Sequence, residues 1–180
     1  TKSTSVIENE LSKVSEQRKM ELILPWLYSE LEGEAWPKIV DEISKTYGAQ
    51  AIIGHIDFRK KENDYYVYTN NGAKEFSKID TAFMEKILEL NFGELLLHSM
   101  DKDGTGMNFD YEIMQFLPQN NKKPLIFSGG AGNYHHLKEG LAHKDIDAVS
   151  TANLLNFVGD GLINARKVML DEKYPLAKWE

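Results

Sequence analysis

The chain has 180 residues, a net charge of -7 and no cysteine. That length holds one domain with a real core. The acidic balance argues against a general nucleic-acid binder and against attraction to an anionic membrane surface. The missing cysteines exclude a disulfide framework and a thiolate zinc site. No signal-peptide pattern and no span-length apolar run is present, so the expectation is a cytoplasmic protein. The first residue is Thr rather than Met, which fits a piece of a longer product.

From Val6 to about Leu31, apolar residues recur at helical intervals (Leu11, Val14, Met20, Ile23, Leu24, Leu27, Leu31), which predicts two helices or one kinked at Pro25. Trp36-Pro37 opens another helix with Ile39, Val40, Ile43 and Tyr47 on one side and Gly48 as its C-cap. The run at 51–57 reads as a buried parallel strand. "DYYVYTNNG" predicts a small surface hairpin made with residues near Phe58. Residues 80–90 are amphipathic, 94–100 form a strand, and 110–117 a short helix. A strand at 124–128, a helix at 134–142, a strand at 146–150 and helical segments at 153–157 and 161–171 complete the chain.

Helices thus alternate with strands. Right-handed crossovers make such strands parallel and cover them with helices. An open doubly wound sheet, flavodoxin-like, and part of a (β/α)8 barrel both satisfy this order. The strand ends favour the barrel. "IIGHID" ends in Asp57, "LLLHSMDKDG" in Asp101 and Asp103, "LIFSGG" in Gly129 and Gly130, and "AVSTAN" in small polar residues. In a barrel those ends converge on one mouth, where active sites lie.

Paired carboxylates there can act as general acid and base, and Asp57 and Asp103 are the candidates. The turns "DGTG" at 103–106, "SGGAG" at 128–132 and "TAN" at 151–153 lead toward helices, and backbone N–H groups so placed bind phosphate. Each feature has a plainer explanation. A strand-end Asp is often a helix cap, and a Gly-Gly turn is often just a tight connection. His135 and His136 are adjacent and point in different directions, which suits surface polarity better than metal ligation. His55 and His98 precede the acids in their strands and could face inward. No metal site and no cofactor is expected.

"YGAQAIIGHID", "GELLLHSMDKDGTGMNFDYEIM" and "PLIFSGGAGNYHHLKEGLAHKDIDAVSTANLLNF" together resemble the C-terminal half of the cyclase subunit of imidazole glycerol phosphate synthase, over roughly residues 37–157. They are most similar to bacterial paralogues of surface-polysaccharide amidation. The resemblance implies a (β/α)8 TIM barrel working with a glutaminase amidotransferase subunit. The partner's ammonia travels through the barrel and attacks a phosphorylated small-molecule substrate at the mouth. By motif, Asp57 matches a catalytic general acid/base and Asp103 lies in the mouth loop. Gly104, Gly129, Gly130, Ala152 and Asn153 fall in the turns that hold one substrate phosphate.

Three departures lean toward a paralogue: Asn153 where Ser is commoner, His98 for a smaller hydroxyl residue, and Phe76-Ser77 where Thr-Gly is expected. The family's first four strands have no counterpart, and neither does the first-strand aspartate that pairs with Asp57. The expectation is therefore a half barrel at 37–180, preceded by an N-terminal segment at 1–36 with a helical insertion at 10–36. A half barrel exposes sheet edges and inward apolar side chains, so a homodimer or another chain would complete it. Two functions remain open: a cyclase-like enzyme half, or a non-catalytic, natural or engineered assembly module that keeps phosphate binding.

Overall fold

A computed structural model describes residues 20–23, 35–152 and 161–176. Among them, seven strands form one sheet: β1 (Met20–Ile23), β2 (Ile52–Lys61), β3 (Asp64–Thr69), β4 (Lys74–Ile79), β5 (Glu94–Ser99), β6 (Leu125–Ser128) and β7 (Ala148–Ser150). The helices are α1 (Ala35–Tyr47), α2 (Thr81–Leu88), α3 (Tyr134–Ala142) and α4 (Gly161–Asp171). Residues 111–116, expected as a short helix, wind as a 3-10 helix.

The order β2-β5-β6-β7 is parallel throughout, as the crossover argument requires. Along β2, Ile52, Gly54, Ile56 and Phe58 are buried while the residues between them are half-buried; β5 and β6 alternate in the same way. The buried set packs on Ile39, Val40 and Ile43 of α1, Met84 and Ile87 of α2, Leu137 of α3, and Ala165 and Met169 of α4. Each fully buried Leu or Ile in that layer contributes about 1.5–3 kcal/mol. Asp80 caps α2 by accepting from Phe83 N at 2.8 Å, and Asn133 caps α3 by accepting from His136 N at 3.2 Å. The architecture is α/β with mixed strand directions, consistent with a partial (β/α) barrel.

Two expectations need correction. Residues 20–23, read as helical, form a strand that pairs in parallel with β2, Ile23 facing His55 in register. Four consecutive largely apolar residues carry no period that separates helix from strand, and the N-terminal half of β2 has a free edge to pair with. Residues 10–19 and 24–34 of that segment and the helix expected at 153–157 lie outside the described residues. The second correction concerns the hairpin. β2 runs on to Lys61 and pairs antiparallel with β3, which pairs antiparallel with β4, so three strands form a meander. Asn70, Asn71 and Gly72 make its second turn, all with positive φ.

This meander is anchored rather than superficial. Tyr65 is fully buried, its ring 5.7 Å from Phe58 and 5.8 Å from Phe116. Its hydroxyl donates to Asp110 Oδ1 at 2.9 Å. Burial, then the hydrogen bond to Asp110, holds that hydroxyl protonated well above the ordinary tyrosine range, and burial pushes Tyr111 up to about 12. Both folded-state values are raised. Their contribution is therefore complete below about pH 10, where an unfolded tyrosine ionises, and is lost as pH climbs through the folded values. Tyr65→Phe is expected to lower stability at neutral pH by roughly 1–3 kcal/mol, because buried Asp110 loses this donor, and to flatten the alkaline decline. Urea unfolding at about pH 7 and about pH 11 checks both; an equally steep alkaline decline in the variant would refute the assignment.

Candidate functional site at the strand C-terminal ends

The half-buried residues of β2, β5 and β6, with Ala148 and Ser150 of β7, share the face turned away from the helices, because successive side chains alternate. In-register pairing stacks them in rows. Asp57 lies beside His98, His98 beside Ser128, and Ser128 beside Ser150. One row below are His55, Leu96, Ile126 and Ala148, and below those Ile53 and Glu94. The row nearest the strand C-termini is entirely polar. His98 Nδ1 is 3.1 Å from Ser128 Oγ, and His55 Nε2 is 3.1 Å from Asp57 Oδ1.

Beyond that row the three βα junctions touch one another. Asn108 N donates to Gly130 O at 2.8 Å, which ties the loop at 103–108 to the turn at 129–132. Thr151 Oγ1 donates to Ala131 O at 3.3 Å, which ties in the third junction. Asp57, Gly104, Gly129, Gly130 and Ala152 thus gather at one end of the sheet. Asp103 is exposed, and its amide donates to Ser99 O at 3.0 Å. Asn153 lies outside the described residues.

The glycines divide into two kinds. Gly129 and Gly130 have φ of 89° and 106°, and an added Cβ would come within 2.3 Å of Ser99 O and 2.1 Å of Asn108 O respectively. At Gly132 it would lie 2.5 Å from Gly106 Cα. The protein's own backbone fills the space at these three, so the tight-connection explanation accounts for them unaided. Gly104 differs: φ is 73°, and an added Cβ would meet nothing within 4 Å. The amide of Gly132 is also engaged, donating to His136 Nδ1 at 3.1 Å. His136 is thereby a turn-fixing residue. Asp101, considered above as a helix cap, instead accepts from Lys60 N at 2.8 Å and tethers the β5 loop to β2.

Sequence reasoning passed over Lys102, whose Cβ would stand 3.0 Å from a Cβ added at Gly130 and whose charge acts on Glu112. Its place after "SMD" in the loop was the available signal. It also undervalued His55, which strand alternation already put on the face of Asp57, and His98, whose place beside Asp57 the register decides.

The sheet defines an α/β protein consistent with a partial (β/α) barrel, with a polar row toward the strand C-termini. Comparison with known proteins supplies the family. Residues 34–159 match the family described as "Histidine biosynthesis protein", and the chain belongs to it. It is 39% identical over 144 residues to a putative imidazole glycerol phosphate synthase subunit hisF2 of Parasynechococcus marenigrum, covering 79% of this chain and 54% of that protein. It is 37% identical over 123 residues to the imidazole glycerol phosphate synthase subunit HisF of Prosthecochloris aestuarii, covering 68% and 49%. With the same-named subunit of Chlorobium phaeobacteroides (strain BS1) the identity is 39% over 122 residues, covering 67% and 48%. The chain therefore spans about half the length of the curated relatives it matches.

Substitution separates the two kinds of glycine. Gly130→Ala is expected to cost on the order of 2 kcal/mol or more, since it adds a backbone clash to an unfavourable φ. Gly104→Ala should cost about 1 kcal/mol, from φ alone. Urea midpoints of the two variants measure the difference, and equal midpoints would refute it.

Proposed function

We propose that this chain is a cyclase-like (β/α) barrel half that binds the phosphate of a phosphorylated, sugar-type substrate at the strand C-terminal ends. The observation that carries the reading is the convergence of the three junctions on the end of the sheet that bears Asp57. At Gly104 there is open space where a side chain would stand, and we assign Gly129, Gly130, Ala152 and Asn153 to the same phosphate site. Asp57 is the general acid/base, with Asp103 in the mouth loop. Ammonia from a glutaminase partner is the nitrogen source, as the subunit names of the relatives suggest. The departures at His98, Asn153 and Phe76-Ser77 favour a glycan-amidation substrate over the histidine-pathway one. A second copy of the chain completes the barrel.

One observation favours a second reading. Among the described residues, the inward rows of β2, β5, β6 and β7 carry two carboxylates, Asp57 and Glu94, and their in-register rows put them at opposite ends of the sheet. An acid/base pair at the mouth is thus incomplete in one chain. A module that binds phosphate without turnover fits that arrangement.

Inorganic phosphate is expected to raise the thermal midpoint. The rise should persist in Gly104→Asn, which tolerates the positive φ, and vanish in Gly104→Asp, which differs by one charge. Failure of phosphate to stabilise the unaltered chain would sink the anion site. Light scattering is expected to report twice the chain mass; a folded monomer would end the homodimer proposal. Ammonia-dependent turnover of a phosphorylated substrate, lost in Asp57→Asn, separates the enzyme from the module.

A further inference from the structure

His55 belongs to none of the glycine turns, and the chemistry above makes no use of it. It sits in an otherwise apolar row with Leu96, Ile126 and Ala148, where an imidazole is costly unless it has a polar partner. Its partner is close. Nε2 lies 3.1 Å from Asp57 Oδ1, and the two side chains are 15% and 23% exposed. Its ring stands edge-on to that of His98, centroids 6.0 Å apart at an interplanar angle of 89°. His98 in turn is fixed through Nδ1, 3.1 Å from Ser128 Oγ. Four polar groups on three neighbouring strands thus run in one line, from the carboxylate to the serine that precedes Gly129.

We propose that His55 is a positioning residue for Asp57. When protonated, His55 faces the carboxylate as an ion-pair contact, Nε2 3.1 Å from Oδ1, which holds it in one rotamer and leaves Oδ2 as the oxygen that meets a ligand. His98, pinned by Ser128, backs the imidazole edge-on and prevents it from swinging away. The inference rests on the reading of Asp57 as the acid/base. It assigns the orientation of that group to residues outside the glycine turns. Asp57 on its own strand, with Glu94 and His98 on β5, are the titratable groups on the face His55 shares. β6 brings Ile126 into its row, and the β1 register sets Ile23 beside it, with Glu21 two residues back.

Imidazole nitrogen NMR on the intact 180-residue chain tests this. A carboxylate at this distance favours the imidazolium. The His55 signals are therefore expected to titrate at lower pH in Asp57→Asn than in the unaltered chain. An unchanged titration in a folded variant overturns the proposal; Asp57→Ser serves should Asp57→Asn not fold. Ser128→Ala is expected to move the His98 Nδ1 signal, and no movement overturns the pinning. The carboxyl carbon signal of Asp57 should shift in His55→Leu and move back toward that of the unaltered chain in His55→Lys, which keeps a cation. Equal signals in both variants and the unaltered chain would mean that His55 only fills space. Phosphate-dependent stabilisation is read separately. Its absence overturns the anion site and leaves the His55 result standing, whereas an unmoved His55 titration overturns this inference and leaves the anion site standing.

Discussion

Two-residue alternation, locked by parallel pairing in register, is the constraint on which the rest of this structure depends. Ile52, Ile56, Phe58, Leu95, Leu97, Leu125 and Phe127 bury against the helices, and that burial fixes which residues look the other way. A slip of one position in β5 would bury His98 and turn Leu97 inward, at the loss of several buried side chains at once. The polar row of Asp57, His98, Ser128 and Ser150 is therefore set by core packing. Its precision comes from apolar residues that never touch it.

The loops beyond the row are built by a different force. The turn at 129–132 presses so closely on Ser99, Asn108 and Gly106 that side chains are excluded by the protein's own backbone. The same closeness draws three junctions to one place, with Lys102 at the rim. Structural and functional demands on a glycine are often set against each other, yet here one serves the other. The tight packing at Gly129, Gly130 and Gly132 creates the cluster, and Gly104, which is not packed against, is the position left open.

β1 changes how the sheet's edge is understood. β2 is long enough to carry two partners on one side, β1 along 52–55 and β3 along 58–61, while β5 takes the other side along 53–58. A chain that spans about half of its relatives still pairs the inner part of that edge, using residues outside the matched region. No helix among the described residues is long and apolar enough to cross a membrane.

Local spacing was enough for most elements. The helices at 134–142 and 161–171 were read to the residue, because capping residues, glycines and a 3.6-residue period are all local signals. Asp57 and the glycine turns were also legible, since strand-end chemistry follows directly from alternating helix and strand. Residues 20–23 were misread because four mainly apolar residues suit either state, and the choice fell to an open edge thirty residues away in sequence. The meander was underestimated because the hydroxyl of Tyr65 finds its partner at Asp110, a contact that no local pattern encodes. Residue type and order thus established the class of fold and the gathering of polar residues toward the strand C-termini. Register, packing and long-range hydrogen bonds established which glycines are structural and which imidazole stands beside Asp57, because those depend on distances between strands that sequence spacing does not contain.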